Sequence, residues 1–200
     1  TLMARQPNVI IIFTDDQGYA DLGCYGNTKN KTPHLDGLAS EGMRFTSFYS
    51  QTVCGPSRSA LLTGRYPCRS KGWGMPAHET TFAELMRESD YQTVCIGKWD
   101  VSNREAIIDR MPNAQGFDTY FGALGANDNG SVAFHENNKA AGSTRDMGSL
   151  TRVYTDKAID FLESRRDPEK PFILYLAHTM MHTIIDASER FRGKSAGGLY

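Results

Sequence analysis

Two hundred residues with 40% hydrophobic content are enough to build one sizeable core. A net charge of −1 offers neither a basic surface for nucleic acid nor a polybasic patch for membranes. The strongest apolar run, Val9 to Phe13, is far too short to span a bilayer. The four cysteines, Cys24, Cys54, Cys68 and Cys95, have neither metal-ligand spacing nor the density of a disulfide framework. Thr1 to Gln6 carry no signal-peptide pattern, so a leader is expected to have been removed ahead of this numbering.

Val9-Ile-Ile-Ile-Phe13 is an unbroken β-branched run, which predicts a strand buried on both faces of a parallel sheet. It ends in Asp15 and Asp16, two acids where open α/β sheets place their ligand sites. Adjacent side chains on a regular strand point apart, so a turn is expected here, with Gly18 permitting it. Pro33 to Gly42 reads as a helix with Leu35, Leu38 and Ala39 on one face and Gly42 as its stop, and His34 belongs to its surface. Met43 to Tyr49 alternates toward a second strand leading into Gln51 to Cys54. Next comes the densest motif of the chain, Val53 to Arg65, with Cys54, Pro56, Ser57 and Arg58 spaced C-x-P-S-R and Leu62-Thr-Gly-Arg65 following. Pro56 suits the first turn of a helix running from Ser57 to about Thr63, closed by Gly64. Residue 54 is then expected just ahead of a helix N-terminus, where free N–H groups favour an anion, with Arg58 one turn in.

Tyr66 to Ala77 is a Pro/Gly-rich loop in which Trp73 is expected as an anchor. Thr81 to Glu88 is an amphipathic helix with Glu84 in capping-box position. Tyr91 to Ile96 is the next strand, containing an inert Cys95, and Gly97-Lys-Trp-Asp100 puts a charged cluster at its end. Asn127-Asp-Asn-Gly130 reads as a turn, and His135 to Asn138 as a solvated loop. Leu150 to Arg165 is helical, with Val153, Ala158, Ile159, Phe161 and Leu162 as its apolar stripe, broken by Asp167-Pro168. Pro171 to Ala177 is a fourth buried strand, whose end carries His178 and His182. Strands alternating with helices predict an α/β architecture with a largely parallel central sheet flanked by helices.

The C-x-P-S-R string with its L-T-G-R continuation resembles the signature of the type I sulfatases, and the likeness extends over nearly all of the chain. It implies the alkaline-phosphatase-like sandwich and a cysteine, Cys54, oxidised after translation to formylglycine by a formylglycine-generating enzyme. In that family the aldehyde is hydrated, one hydroxyl attacks sulfur, and the second releases sulfate from the resulting ester. The resemblance assigns Asp15 and Asp16, with residue 54, to a divalent cation, usually Ca2+ with Mg2+ possible. Arg58, Lys98 and His182 fall on catalytic positions, His182 by its distance from the last strand, with Met181 and Ile184 standing where prolines are common. Trp99, Asp100 and His178 are the expected substrate contacts.

One position departs from the pattern: sulfatases usually read G-K-W-H where this chain has Gly97-Lys-Trp-Asp100. An ionised Asp cannot donate and repels sulfate, so Asp100 is expected to face a sugar hydroxyl, pair with a cation such as Arg104, or hold a proton. Gln115 to Gly122 resembles a largely structural family segment. The family's second pair of metal ligands is also an Asp-Asn-Gly string, but it follows a hydrophobic strand much later in the chain. Asp128 and Asn129 are therefore left out of the metal site, and Lys194 is not assigned a catalytic role. Family members are usually more than twice as long, so residues 1–200 are expected to be the N-terminal part of the catalytic domain, with further metal ligands beyond Tyr200. The expected activity is removal of sulfate from a sulfated small molecule or glycan by a periplasmic or secreted enzyme, lysosomal if eukaryotic. The alternatives are a phosphonate or phosphate monoester hydrolase on the same scaffold, or a catalytically impaired glycan-binding relative.

Overall fold

A computed structural model describes residues 6–199 of the chain. Residues 1–5 and 200, which include most of the N-terminal stretch read for a leader, lie outside the described residues. A six-stranded sheet runs through the molecule in the order β1-β6-β2-β3-β4-β5. Its strands are β1 (Val9–Phe13), β2 (Gln92–Lys98), β3 (Thr119–Ala123), β4 (Val132–Glu136), β5 (Lys139–Thr144) and β6 (Phe172–Ala177). The first four in spatial order are mutually parallel, and β4 and β5 close the far edge as an antiparallel hairpin. The helices are α1 (Pro33–Glu41), α2 (Cys54–Thr63), α3 (Pro67–Ser70), α4 (Phe82–Glu88) and α5 (Leu150–Asp160), the last continued by a π-helical turn through Arg165.

Strand alternation builds two cores. Val94 and Ile96 of β2, with Phe172, Leu174 and Leu176 of β6, pack against Leu150, Tyr154 and Ala158 of α5. The intervening residues Cys95, Tyr175 and Ala177 face Leu62 of α2 and Ala83 of α4. Local chemistry agrees with this layout. Thr81 caps α4, its hydroxyl accepting from Glu84 N–H while the Glu84 carboxylate accepts from Thr81 N–H. Gly64, at φ 65°, ends α2 in the left-handed conformation.

Four sequence readings need correction. β1 is the edge strand, and its burial alternates: Ile11 and Phe13 pack on the α2 side while Ile10 and Ile12 stay 50% and 57% exposed. Continuous β-branched sequence reported strand formation, but double-sided burial needs neighbours that an edge strand lacks. Met43 to Tyr49 forms no strand, and all of residues 41–50 are exposed: the alternating pattern is there, but among the described residues no strand pairs with it. Thr119–Ala123, read as a structural segment without a strand, is the parallel neighbour of β2, so Asn127 and Asp128 do follow a strand. His135 to Asn138 is no loose loop: His135 and Glu136 lie in β4, and Asn137, at φ 52°, opens the two-residue turn to β5.

Candidate active site at the carboxyl edge of the sheet

The four parallel strands deliver their C-terminal ends to one edge, where open α/β sheets bind ligands. β1 brings Asp15 and Asp16, β6 brings His178 and His182, β2 brings Lys98 and Asp100, and β3 leads into Asn127 and Asp128. Helix α2 adds Cys54 and Arg58. The chain turns after β1 at Asp16 itself, which takes φ 56°, while Gly18 stays extended at φ −91°; the expected turn is present but not at the glycine. Thr14 Oγ1 donates to Gln17 Oε1 at 2.7 Å across it.

Cys54 is the first residue of α2 with Val53 as N-cap, so the helix begins three residues earlier than Ser57. The motif residues around it have separate tasks. Ser57 Oγ accepts from Gln51 N–H at 3.0 Å and donates to Val53 C=O at 2.8 Å, tying the incoming chain to the first turn. Gly55 lies under the Trp73 ring; a Cβ there would stand 2.1 Å from Cδ1 of the indole. Arg65 Nη1 alone donates to both oxygens of the buried Glu79, at 2.8 and 2.7 Å, and so fastens the following loop.

Arg58 and Lys98 are fully buried and meet at Asp15. Lys98 Nζ lies 2.5 Å and Arg58 Nη2 3.3 Å from Asp15 Oδ2. Arg58 also donates to the Lys98 carbonyl at 2.9 Å and the His178 carbonyl at 3.3 Å, with the Tyr175 hydroxyl at 3.5 Å. Burial pushes the Tyr175 phenol up to about 12 against the pull of Arg58, so it stays protonated. Asp100 is also buried, at φ 58°. Its Oδ2 accepts from Trp73 Nε1 at 3.0 Å and lies 3.5 Å from Lys98 Nζ, while Oδ1 accepts from Arg104 Nε at 2.8 Å. Of the arrangements open to Asp100 in sequence, pairing with Arg104 is the one found. Burial first, then a hydrogen bond to Asp100 and its negative charge, raise the Cys54 thiol above its ordinary value despite Lys98. An unmodified Cys54 is therefore a thiol rather than a nucleophilic thiolate. Cys95, fully buried, is raised as well by desolvation, in keeping with an inert thiol.

The remaining expected contacts divide. His182 lies on the turn after β6, with Nδ1 at 2.5 Å from the Thr183 carbonyl and Nε2 at 3.6 Å from Asp128 Oδ1. Trp99 does not reach the cleft: its ring is fully buried edge-on to Phe117, and its N–H donates to the Arg110 carbonyl at 2.8 Å. His178 is also packed inward, its ring 6.3 Å from that of Tyr154 in α5 and its Nδ1 without a partner. Desolvation, then the charge of Arg58, lower its pKa to about 4, so it is neutral. Strand alternation gave both residues a place near the edge but did not say which way the chain turns after it. Sequence reasoning named Arg104 as a partner for Asp100 but undervalued Trp73 and Asp128. The signal for Asp128 was the end of a strand that was not recognised, and Trp73 carried none.

A divalent cation can be tested against these groups. Asp15 offers Oδ1, and no hydrogen bond or ion pair among the described residues engages the exposed Asp16. Asp15, Asp16, Asp100 and Asp128 carry more charge than Arg58, Lys98 and Arg104 neutralise, so a cation suits the balance. No group of three or more His, Cys, Asp or Glu able to hold a metal occurs among the described residues, so this donor set is partial.

The Sulfatase family model matches residues 7–199. The chain is 33% identical to the N-acetylgalactosamine-6-sulfatase of Canis lupus familiaris over 98% of its length, covering 44% of that protein. It is 30% identical to the arylsulfatase G of Mus musculus, covering 98% of the chain and 45% of the relative. It therefore spans less than half the length of these relatives. Among solved structures, one in complex with its substrate D-glucosamine-2-N,6-O-disulfate superposes with a TM-score of 0.75 at 31% identity, over 90% of this chain and 35% of the other. Sequence, sheet topology and the edge cluster agree: the chain belongs to the sulfatase family.

Proposed function

We propose that this chain carries the nucleophile-bearing part of a sulfatase that removes sulfate from a sulfated carbohydrate, with residue 54 as formylglycine. The observation that carries the reading is the meeting of Cys54, Arg58, Lys98 and Asp15 at the carboxyl edge of the sheet, with Asp100 against Cys54. The carbohydrate class is supported by the relatives, one named for N-acetylgalactosamine 6-sulfate and one solved with a sulfated glucosamine. Location in the periplasm, a secreted space or the lysosome, and maturation by a formylglycine-generating enzyme, are part of the same proposal.

Asp15 and Asp16 would hold the divalent cation, Ca2+ or Mg2+, which would neutralise sulfate oxygens and polarise residue 54. Residue 54 at the start of α2 faces helix N–H groups that favour an anion. Lys98 and Arg58 supply buried positive charge whose positions are fixed by Asp15 and by main-chain carbonyls, so little reorganisation is needed as charge develops. His182, with Nδ1 at the Thr183 carbonyl and Nε2 beside Asp128, would in its protonated form pass the Nε2 proton to the departing alcohol. Asp100 is held by Trp73 and Arg104 and stands where it can accept a proton from residue 54.

The test is co-expression with a formylglycine-generating enzyme, followed by mass spectrometry of the peptide containing residue 54 and turnover of an aryl sulfate. Conversion of thiol to aldehyde with sulfate release is the expected result, and Cys54→Ala should lower turnover by at least about 10⁴-fold. An active Cys54→Ala protein overturns the mechanism. Hydrolysis of phosphonate or phosphate esters without sulfate esters overturns the substrate class.

A further inference from the structure

Building on the proposed function, we infer that Arg104 is a positioning residue that couples Asp100, beside residue 54, to His182 through Asp128. Its planar guanidinium reaches both carboxylates at once, Nε on Asp100 Oδ1 at 2.8 Å and Nη1 on Asp128 Oδ2 at 2.7 Å. The other oxygen of Asp128 stands 3.6 Å from His182 Nε2. Asn127, the preceding residue, donates from Nδ2 to the His182 and Ile184 carbonyls at 3.4 and 3.0 Å. One turn after β3 thus holds both the ring and the main chain of His182, and Arg104 ties that turn to the end of β2.

The backbone is built for this bridge. Asp100, Asn103 and Arg104 all take left-handed φ values, 58°, 55° and 62°, in one short loop. Such conformations carry a cost in a non-glycine residue and persist where surrounding contacts enforce them. Gly125 leaves room for the arginine stem: a Cβ there would stand 3.1 Å from Arg104 Cγ and Cδ. A lysine at 104 is a single point charge and could not span the two carboxylates.

The test uses Arg104→Gln, Asp128→Asn, their double variant and Gly125→Ala, which displaces the stem without changing a charge. In each, the imidazole ¹⁵N shifts of His182 are expected to change while circular dichroism stays the same. On an aryl sulfate Arg104→Gln and Asp128→Asn should each lower kcat about tenfold with KM within about twofold, Gly125→Ala should lower it less, and the double variant should be no worse than the worse single one. Independent, additive losses overturn the coupling, as do losses in KM alone or unchanged His182 signals in Arg104→Gln. A wild-type protein without sulfatase turnover would refute the proposed function, and the His182 signals would still decide the coupling.

Discussion

The centre of the sheet and the segment that leads into α2 are opposite solutions to the same need for contacts. In the centre, β2 and β6 are buried along almost their whole length, and even the charged residues at their ends are enclosed and paired. From Glu41 to Ser50 every residue is exposed, including Met43, Phe45, Phe48 and Tyr49; the Tyr19 and Tyr25 hydroxyls donate to the Phe48 and Phe45 carbonyls, Phe48 N–H donates back to Tyr19, and Arg44 donates to the Cys24 carbonyl. Both stretches are apolar and aromatic. What separates them is partners: β2 has a strand on each side and a helix layer on each face, while 43–49 has neither. Hydrophobic sequence yields stability only where another surface removes it from water.

The sharpest way to break the centre is at Gly97. It pairs with Ala177 across β2 and β6 at φ 114°, and a Cβ would stand 1.9 Å from the Ala177 carbonyl oxygen. Gly97→Val should cost more than about 4 kcal/mol and leave the chain unfolded or aggregated, as read by circular dichroism and chemical denaturation. Leu62→Ala comes next. This α2 leucine is buried in the aromatic core beneath the site, and its truncation should cost about 3 kcal/mol in urea unfolding.

Much of the centre was legible because its signals are local. Apolar runs marked β1, β2 and β6, the first of them β-branched; the Thr81 and Glu84 pair marked the start of α4, and Gly64 the end of α2. The site was legible where a motif fixes spacing, as from Cys54 to Arg58, and where a charge follows a strand, as at Asp15 and Lys98. Thr119–Ala123 was missed because five residues containing a glycine give little periodicity, and its strand character comes from pairing with β2. The hairpin at Asn137 did carry a signal, two asparagines between alternating runs, and it was misread as a loop. Trp73 reaches Asp100 from a loop 27 residues earlier, a tertiary fact that no spacing encodes, whereas Arg104, four residues on, was legible as its cation partner. The failed strand at 43–49 is the converse: the pattern was present and the partner was not.

A third test uses pH to probe the buried centre through His178. Its imidazole is held neutral with a pKa of about 4, whereas an unfolded histidine titrates near 6.5. Below about pH 6.5 the unfolded state binds the extra proton, so stability must fall as pH drops toward 4 and then level off. Between pH 7 and 4.5 this one residue should account for about 2 to 3 kcal/mol of lost stability. His178→Gln should flatten that part of the acid limb in urea melts. An unchanged slope would mean that His178 is not desolvated as its packing against Tyr154 implies.

The smallest expected effect is the one that tests the exposed segment. Phe48 is 66% exposed, and its ring makes one aromatic contact, with Phe45 at 5.8 Å. Phe48→Ser removes little buried area, so in this chain it should change the unfolding free energy by no more than about 0.5 kcal/mol. The same substitution in the core, at Phe117, should cost several times more, since that ring is fully enclosed among Phe82, Trp99 and Tyr175. The pair of urea melts therefore measures the comparison directly. If Phe48→Ser costs as much as Phe117→Ser, residues 43–49 are covered in solution by a surface that takes the role β2 and β6 play for each other, and the contrast between the two regions disappears.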